Sequence, residues 1–308
     1  MSDAEKPGFV SGFVSLLGRP NAGKSTLLNA LVGAKLAIVA AKPQTTRTTI
    51  QGVLTLDNAQ VIFIDTPGIH KSDSTFNRRM MQTVRAALDG RDLLVFLADA
   101  SLPFGEADAQ AVDLVRKAET PCLLALNKID RLKEKPALLP LLERYKTLHD
   151  FAEYIPISAR TGEGLEELKA AILARLPEGP KLFPADYLTD QPERFLAAET
   201  IREKILRETR HEVPHAVAVL IDKWEDSPRL LRIMATVYVE REGQKGILIG
   251  AGGAMLKQVG TLARKEMEAF FGRKVFLELF VKVKLNWRES PGFLDAIDWR
   301  SMLGKEDS

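Results

Sequence analysis

From Val10 to about Leu176 the chain alternates short, almost unbroken apolar runs with stretches whose apolar residues recur every three or four positions. Continuous apolar runs of a few residues bounded by turn formers read as buried strands, and the three-to-four spacing reads as helix. Their alternation predicts a βαβ succession with a mostly parallel sheet flanked by helices. Strands are expected at 14–17, 61–64, 93–98 and 122–126, with a further apolar stretch at 154–157. Helices are expected from Lys24 to about Leu31 and over 78–88, 107–118, 138–148 and 165–176.

Pro177-Glu178-Gly179-Pro180 stops this rhythm, and residues 183–192 continue without apolar periodicity, which predicts a linker. Beyond it the pattern changes. A helix over 193–209, strand-like runs at 217–221 and 229–239, a helical region after Gly253 and a strand over 275–285 predict a smaller α+β domain. The expected division is therefore 1–180, a linker at 181–194, and 195–308 with a C-terminal tail.

Three segments sit where these strands end and helices begin. Gly18-Arg19-Pro20-Asn21-Ala22-Gly23-Lys24-Ser25, followed by Thr26, has two glycines separated by four residues and then Lys-Ser. That spacing lets successive backbone N–H groups and a helix N-terminus surround a polyphosphate. Lys24 would reach the β- and γ-phosphates, and the Ser25 hydroxyl would ligate Mg²⁺. Asp65-Thr66-Pro67-Gly68-Ile69 follows the strand at 61–64, and Asn127-Lys128-Ile129-Asp130 follows the strand at 122–126. Asp130 decides the base: a carboxylate accepts hydrogen bonds, and guanine offers two adjacent N–H donors that adenine lacks. An ordinary polar turn is the plainer reading of that tetrapeptide alone, but not in this order with the others. Ser158-Ala159-Arg160 would complete the base pocket with backbone N–H groups. These segments predict a GTP/GDP pocket.

Composition changes little. The 308 residues are 45% hydrophobic and 27% charged, ordinary for a globular protein, and the net charge of +2 is too small to argue for nucleic acid from the whole chain. The single cysteine, Cys122, lies in an apolar run and is expected to be a buried strand residue. Residues near the N-terminus form no basic-then-apolar leader pattern, and no stretch reaches membrane-span length, so a cytoplasmic protein is expected.

Local charge matters more. Gly250-Ala251-Gly252-Gly253 lies between two helical patterns, with Lys245, Lys257, Arg264, Lys265, Arg273, Lys274, Lys282 and Lys284 around it. Such a loop lets a single-stranded sugar-phosphate chain lie against the backbone, and the cations would meet phosphates. A tight structural turn is the competing reading, and Glu266, Glu268 and Glu278 dilute the charge.

The motifs Gly18 to Ser25, Asp65 to Ile69 and Asn127 to Asp130, the segment Lys42-Pro43-Gln44-Thr45-Thr46-Arg47, and the order of one phosphate-loop domain followed by a glycine-loop domain resemble the Era family of bacterial ribosome-assembly GTPases over nearly the whole chain. The resemblance implies a P-loop GTPase domain followed by an α+β type II KH domain. It also implies GTP hydrolysis coupled to binding the 3′ end of 16S ribosomal RNA, a role in 30S subunit maturation, Mg²⁺ as cofactor, and peripheral association with the inner face of the cell membrane. DNA is not an expected partner, and a monomer is expected. One departure stands out: the family usually has Lys where this chain has Ala251. RNA contacts are assigned to Lys245, Gly250, Ala251, Gly252, Gly253 and Lys257.

Mechanistic expectations follow. Lys24, Thr46 and Gly68 are the expected catalytic positions, and Ser25, Thr46 and Asp65 the Mg²⁺ side, with Thr45 and Thr48 as alternatives to Thr46. Ile69 stands where many GTPases carry a water-orienting glutamine, so slow basal hydrolysis is expected. His70 and Lys71 are read as polar switch residues rather than bases. The aromatic tail with Trp287, Phe293, Leu294, Ile297 and Trp299 is expected to pack on the second domain, because Glu289, Asp295 and Asp298 oppose anionic lipid. Competing functions are an RNA-binding assembly factor with a non-essential nucleotide pocket, an ATP-dependent enzyme, and a membrane-associated regulatory GTPase.

Overall fold

The apolar runs form strands buried on both faces. In a computed structural model, which describes residues 8–40, 42, 44–69, 74–209 and 213–299, β1 (Val10–Leu17), β3 (Ala59–Asp65), β4 (Leu93–Asp99), β5 (Cys122–Asn127) and β6 (Glu153–Pro156) run parallel. β2 (Ile50–Thr55), which the apolar pattern does not reveal, pairs antiparallel with β3 at one edge. The sheet order is β2-β3-β1-β4-β5-β6. Because β1 lies between β3 and β4, successive connections leave it on opposite sides, which opens a crevice at its carboxyl end.

The helices of this unit are α1 (Lys24–Val32), α2 (Thr75–Ala86), α3 (Glu106–Lys117), α4 (Leu139–Lys146) and α5 (Leu165–Leu173). One face of the sheet packs Val14, Leu16, Phe63, Val95 and Leu123 against Leu27 and Leu28 of α1 and Leu168 and Ile172 of α5. The other packs Leu17, Phe96, Leu124 and Leu126 against Val84, Val112, Val115 and Tyr145. Cys122 is part of that second core, and burial pushes its thiol pKa up.

Residues 182–189, part of the stretch expected as a linker at 181–194, lie along the antiparallel edge. The Leu182 and Phe183 N–H groups donate to Gln60 Oε1 at 2.7 and 2.9 Å, and Val53 N–H donates to the Leu188 carbonyl at 2.9 Å. Phe183 also stacks on Tyr187 at 4.8 Å. Their polar backbone is satisfied by neighbours far away in sequence, so no periodicity marks it.

By the density of its contacts the chain divides into two units at 190/191, and the short segments 38–45 and 73–78 group with the second. The second unit carries α6 (Glu193–Glu208), β7 (Ala218–Asp226), β8 (Leu230–Val239), α7 (Glu242–Ile249), α8 (Ala254–Phe271), β9 (Lys274–Val283) and α9 (Pro291–Ile297). β7 is antiparallel to β8, and β8 parallel to β9. Ile201, Ile205, Leu231, Ile233, Val237, Leu248, Val259 and Met267 form its core. The tail belongs to this unit: Trp287 is fully buried with its indole N–H donating to the Ala216 carbonyl at 2.9 Å. Phe293, Leu294 and Trp299 are also buried and Ile297 half-buried, while the rest of the tail, from residue 300 on, lies outside the described residues, as do His70 and Lys71.

Candidate nucleotide pocket and nucleic-acid groove

The first loop leaves β1 at Leu17 and enters α1 at Lys24. Gly18 has φ 143°, and a Cβ there would strike the Leu97 carbonyl; at Gly23, with φ 105°, it would strike the Asn127 amide. The loop can therefore exist only with these glycines. Asn127 binds it from β5, donating from Nδ2 to the Ala22 carbonyl at 2.7 Å and accepting from the Ala159 N–H at 2.9 Å. Lys128 donates to the Asn21 carbonyl at 2.6 Å and to Asp99 at 2.5 Å. Arg19 pairs with Asp108 of α3 at 2.9 Å. Three sequence-distant motifs thus brace one another, with Asp99 and Asp108 behind them.

Lys24 is buried, and its ammonium donates to the Gly18 and Arg19 carbonyls at 3.1 and 3.2 Å. Burial lowers its pKa to about 8, against the opposing pull of Asp65. Thr26 is half-buried in the first turn of α1.

Asp65, at the end of β3, is fully buried, and desolvation raises its pKa. Its Oδ2 accepts from Ser25 Oγ at 2.6 Å and from Thr46 Oγ1 at 3.2 Å, and the two hydroxyls are 2.7 Å apart. Its Oδ1 is buried without a hydrogen-bond partner. The Ser25 and Thr46 hydroxyls and the Asp65 carboxylate, one of whose oxygens is buried and unpartnered, are an all-oxygen donor set, which suits Mg²⁺. Thr46 is the threonine brought to this group. Thr45 Oγ1 instead donates to the Lys42 carbonyl at 2.6 Å.

Thr66 Oγ1 donates to the Leu16 carbonyl at 2.7 Å, Pro67 is buried, and Gly68 lies against Pro20 so closely that a Cβ would come within 2.6 Å of its Cα. The Ile69 side chain is buried with Leu17, Val84 and Leu94 in the core rather than at the crevice. At the base end, Asp130 accepts from Ser158 Oγ at 2.7 Å and from Arg160 at 2.5 Å, bonds that hold its pKa below the usual carboxylate range; Ile129 packs half-buried behind it.

In the second unit, Gly250 (φ 74°), Gly252 (φ 57°) and Gly253 (φ 81°) form the turn from α7 into α8, and a Cβ on Gly250 would meet that of Met255 at 2.8 Å. Ala251 is exposed, Lys245 half-buried and Lys257 exposed. Beside the turn runs an open groove of about 380 Å³, lined by Gly253, Leu256, Lys257, Gly260, Thr261, Arg264, Leu277 and Leu279. Sequence reading missed its apolar floor. Helical spacing from Gly253 through 256/257 and 260/261 to 264 would have placed one wall, but the β9 wall depends on how α8 meets β9. Among the described residues no single helix is long and apolar enough to cross a membrane.

Comparison with known proteins agrees with this geometry. The profile of the 50S ribosome-binding GTPase family matches residues 13–128, and that of the KH domain matches 212–288. GTPase Era of Syntrophus aciditrophicus (strain SB) is 50% identical over 93% of this chain and 94% of its own length. That of Geobacter metallireducens is 48% identical over 94% and 98%. Among solved structures, a variant of Aquifex aeolicus Era bound to GDP·AlF4⁻ superposes with a TM-score of 0.91 at 38% identity, covering 94% of this chain and 99% of that one. Era in complex with MgGDPNP and nucleotides 1506–1542 of 16S ribosomal RNA gives 0.92 at 39% identity with the same coverage. A phosphate-loop unit and a KH unit in this order, matched along nearly all of both chains, place this chain in the Era family of GTPases.

Proposed function

We propose that this GTPase hydrolyses GTP slowly with Mg²⁺, grips the 3′ end of 16S ribosomal RNA in the α8/β9 groove, and acts in maturation of the 30S subunit. The observation that carries the reading is the convergence of the Gly18–Ser25 loop, Thr46, Asp65 and Asp130 at the carboxyl ends of parallel strands, with the donor set described above. Lys24 and the N–H groups of residues 19–26 hold the phosphates, the Gly68 N–H meets the γ-phosphate, and Ser25, Thr46 and Asp65 hold Mg²⁺, which offsets charge on the phosphate oxygens. Asp130 reads guanine, with Ser158 and Ala159 lining the base.

The RNA assignment rests on the relative solved with a 16S fragment, together with a groove whose apolar floor suits bases and whose Lys257 and Arg264 suit phosphates. Ile69 offers no polar group to an attacking water, which supports slow hydrolysis.

Nucleotide competition on the purified chain tests the base reading. GTP should displace a labelled guanine nucleotide and ATP should not. Asp130→Asn should lose the preference for GTP and gain one for xanthosine triphosphate, whose ring carries an oxygen where guanine has its amine. Equal uptake of ATP and GTP by the unaltered chain would overturn the assignment.

A further inference from the structure

Val39, Gln44 and Thr45, which lead into Thr46, are held by α6 through their backbone groups. Arg202 is 2% exposed and donates to the Gln44 carbonyl at 3.4 Å and to the Thr45 carbonyl, while Glu199 fixes its guanidinium at 2.6 and 2.7 Å. Glu203 is completely buried, and its Oε1 accepts the Val39 N–H at 2.9 Å. Arg207, one turn on, donates to the Val39 carbonyl at 3.0 Å and to Glu203 at 2.9 Å. Lys204 donates to Glu203 Oε2 at 2.8 Å and also pairs with Glu266 of α8.

Burying this many charges on one helix is costly unless each is paired, and here the partners include main-chain groups of a loop. At the second anchor, Gln44 has φ 60°, a conformation uncommon for a residue with a side chain. Its carbonyl is one of those Arg202 holds, and its side chain donates to Asn77 of α2 at 3.0 Å. The peptide bond after the Thr45 carbonyl begins Thr46.

We propose that Arg202, buttressed by Glu199, and Glu203 are positioning residues for Thr46. By fixing the carbonyls of residues 44 and 45 and the N–H of 39, they set where the chain delivers the Thr46 hydroxyl, and so act on the Mg²⁺-dependent preference for triphosphate over diphosphate. The inference rests on the reading above that Thr46 holds Mg²⁺.

The experiment measures affinity of the full chain for GDP and for a nonhydrolysable GTP analogue, each with Mg²⁺ and with chelator, in the Arg202→Met, Arg202→Lys, Glu203→Gln and Thr46→Ala variants and in the Arg202→Met/Thr46→Ala double variant. Arg202→Met should lower analogue affinity in Mg²⁺ by about tenfold, the scale of losing hydrogen bonds from a charged donor, and leave GDP affinity within about twofold. Arg202→Lys should recover part of the loss, because an ammonium can hold one carbonyl but not the fork of contacts. In the Thr46→Ala background the Arg202 effect should vanish. If Arg202→Met weakens both nucleotides alike, or keeps its full effect without Thr46, the positioning role is overturned. If Thr46→Ala itself leaves Mg²⁺-dependent analogue binding unchanged, the parent reading of Thr46 fails instead. Should Arg202→Met not fold, Arg202→Lys and Glu203→Gln carry the comparison, and no selective loss in either overturns the proposal.

Discussion

At Asp130 both carboxylate oxygens have partners, from Ser158 and from an Arg160 whose side chain is 69% exposed. Because those bonds depress its pKa, led by the one from Ser158, the ionised form persists down to below the usual carboxylate range. The sign is that of any depressed carboxylate: its contribution is complete above the ordinary value and lost only as pH falls through the depressed one. Preference for GTP over ATP, read by competition, should therefore be flat from neutral pH down to about pH 5. A decline beginning near neutrality would point to another group. Ile69 gives a second residue-scale expectation. Its side chain is enclosed by Leu17, Val84 and Leu94, so Ile69→Gln would bury an amide without a partner in place of a packed aliphatic group. We expect stability to fall by about 1–3 kcal/mol and hydrolysis not to accelerate. Thermal melts and single-turnover rates check both.

The glycine turn between α7 and α8 shows what an element demands and what it leaves open. Gly250 needs its positive φ and the space beside Met255, whereas Ala251 is exposed and needs neither. Ala251→Lys should thus fold normally and add one phosphate contact. In titrations with a 16S 3′-end oligonucleotide, binding should tighten and the salt slope steepen by about 0.7. An unchanged slope would place position 251 away from the RNA. Elements also differed in how legible they were. β3, β4 and β5 are buried on both faces and read directly as apolar runs, but β2 is an edge strand containing Gln51 and Gly52, and it is its antiparallel pairing with β3 that makes it a strand. Residues 182–189 read as linker because their partners, Gln60 and Val53, lie more than a hundred positions away.

For the whole molecule, the grouping of 38–45 and 73–78 with the second unit means that segments flanking the pocket motifs belong to the KH unit's own packing. Glu289 caps the start of α2 by accepting the Thr75 N–H at 3.1 Å, and Trp287 meets Phe76 edge-on at 5.6 Å. If nucleotide state alters those segments, RNA affinity should differ by about fivefold or more between the GDP and GTP-analogue forms, and linkage requires RNA to shift nucleotide affinity by the same factor. Identical RNA binding in the GDP, analogue and empty forms would exclude such coupling. What the sequence determined alone was written in contiguous residues: the phosphate-loop glycines with Lys24 and Ser25, the Asn127–Asp130 segment after its strand, the glycine turn, and the buried strands that deliver them. These are local because a loop's conformation depends on its own glycines and the next helix's first turn. The fold alone decided which threonine meets Asp65, that Ile69 faces the core, that β9 supplies the second wall of the groove, and that Arg202 and Glu203 hold the chain ahead of Thr46. Each depends on groups distant in sequence meeting in space, and no periodicity or motif along one strand or helix records its partner.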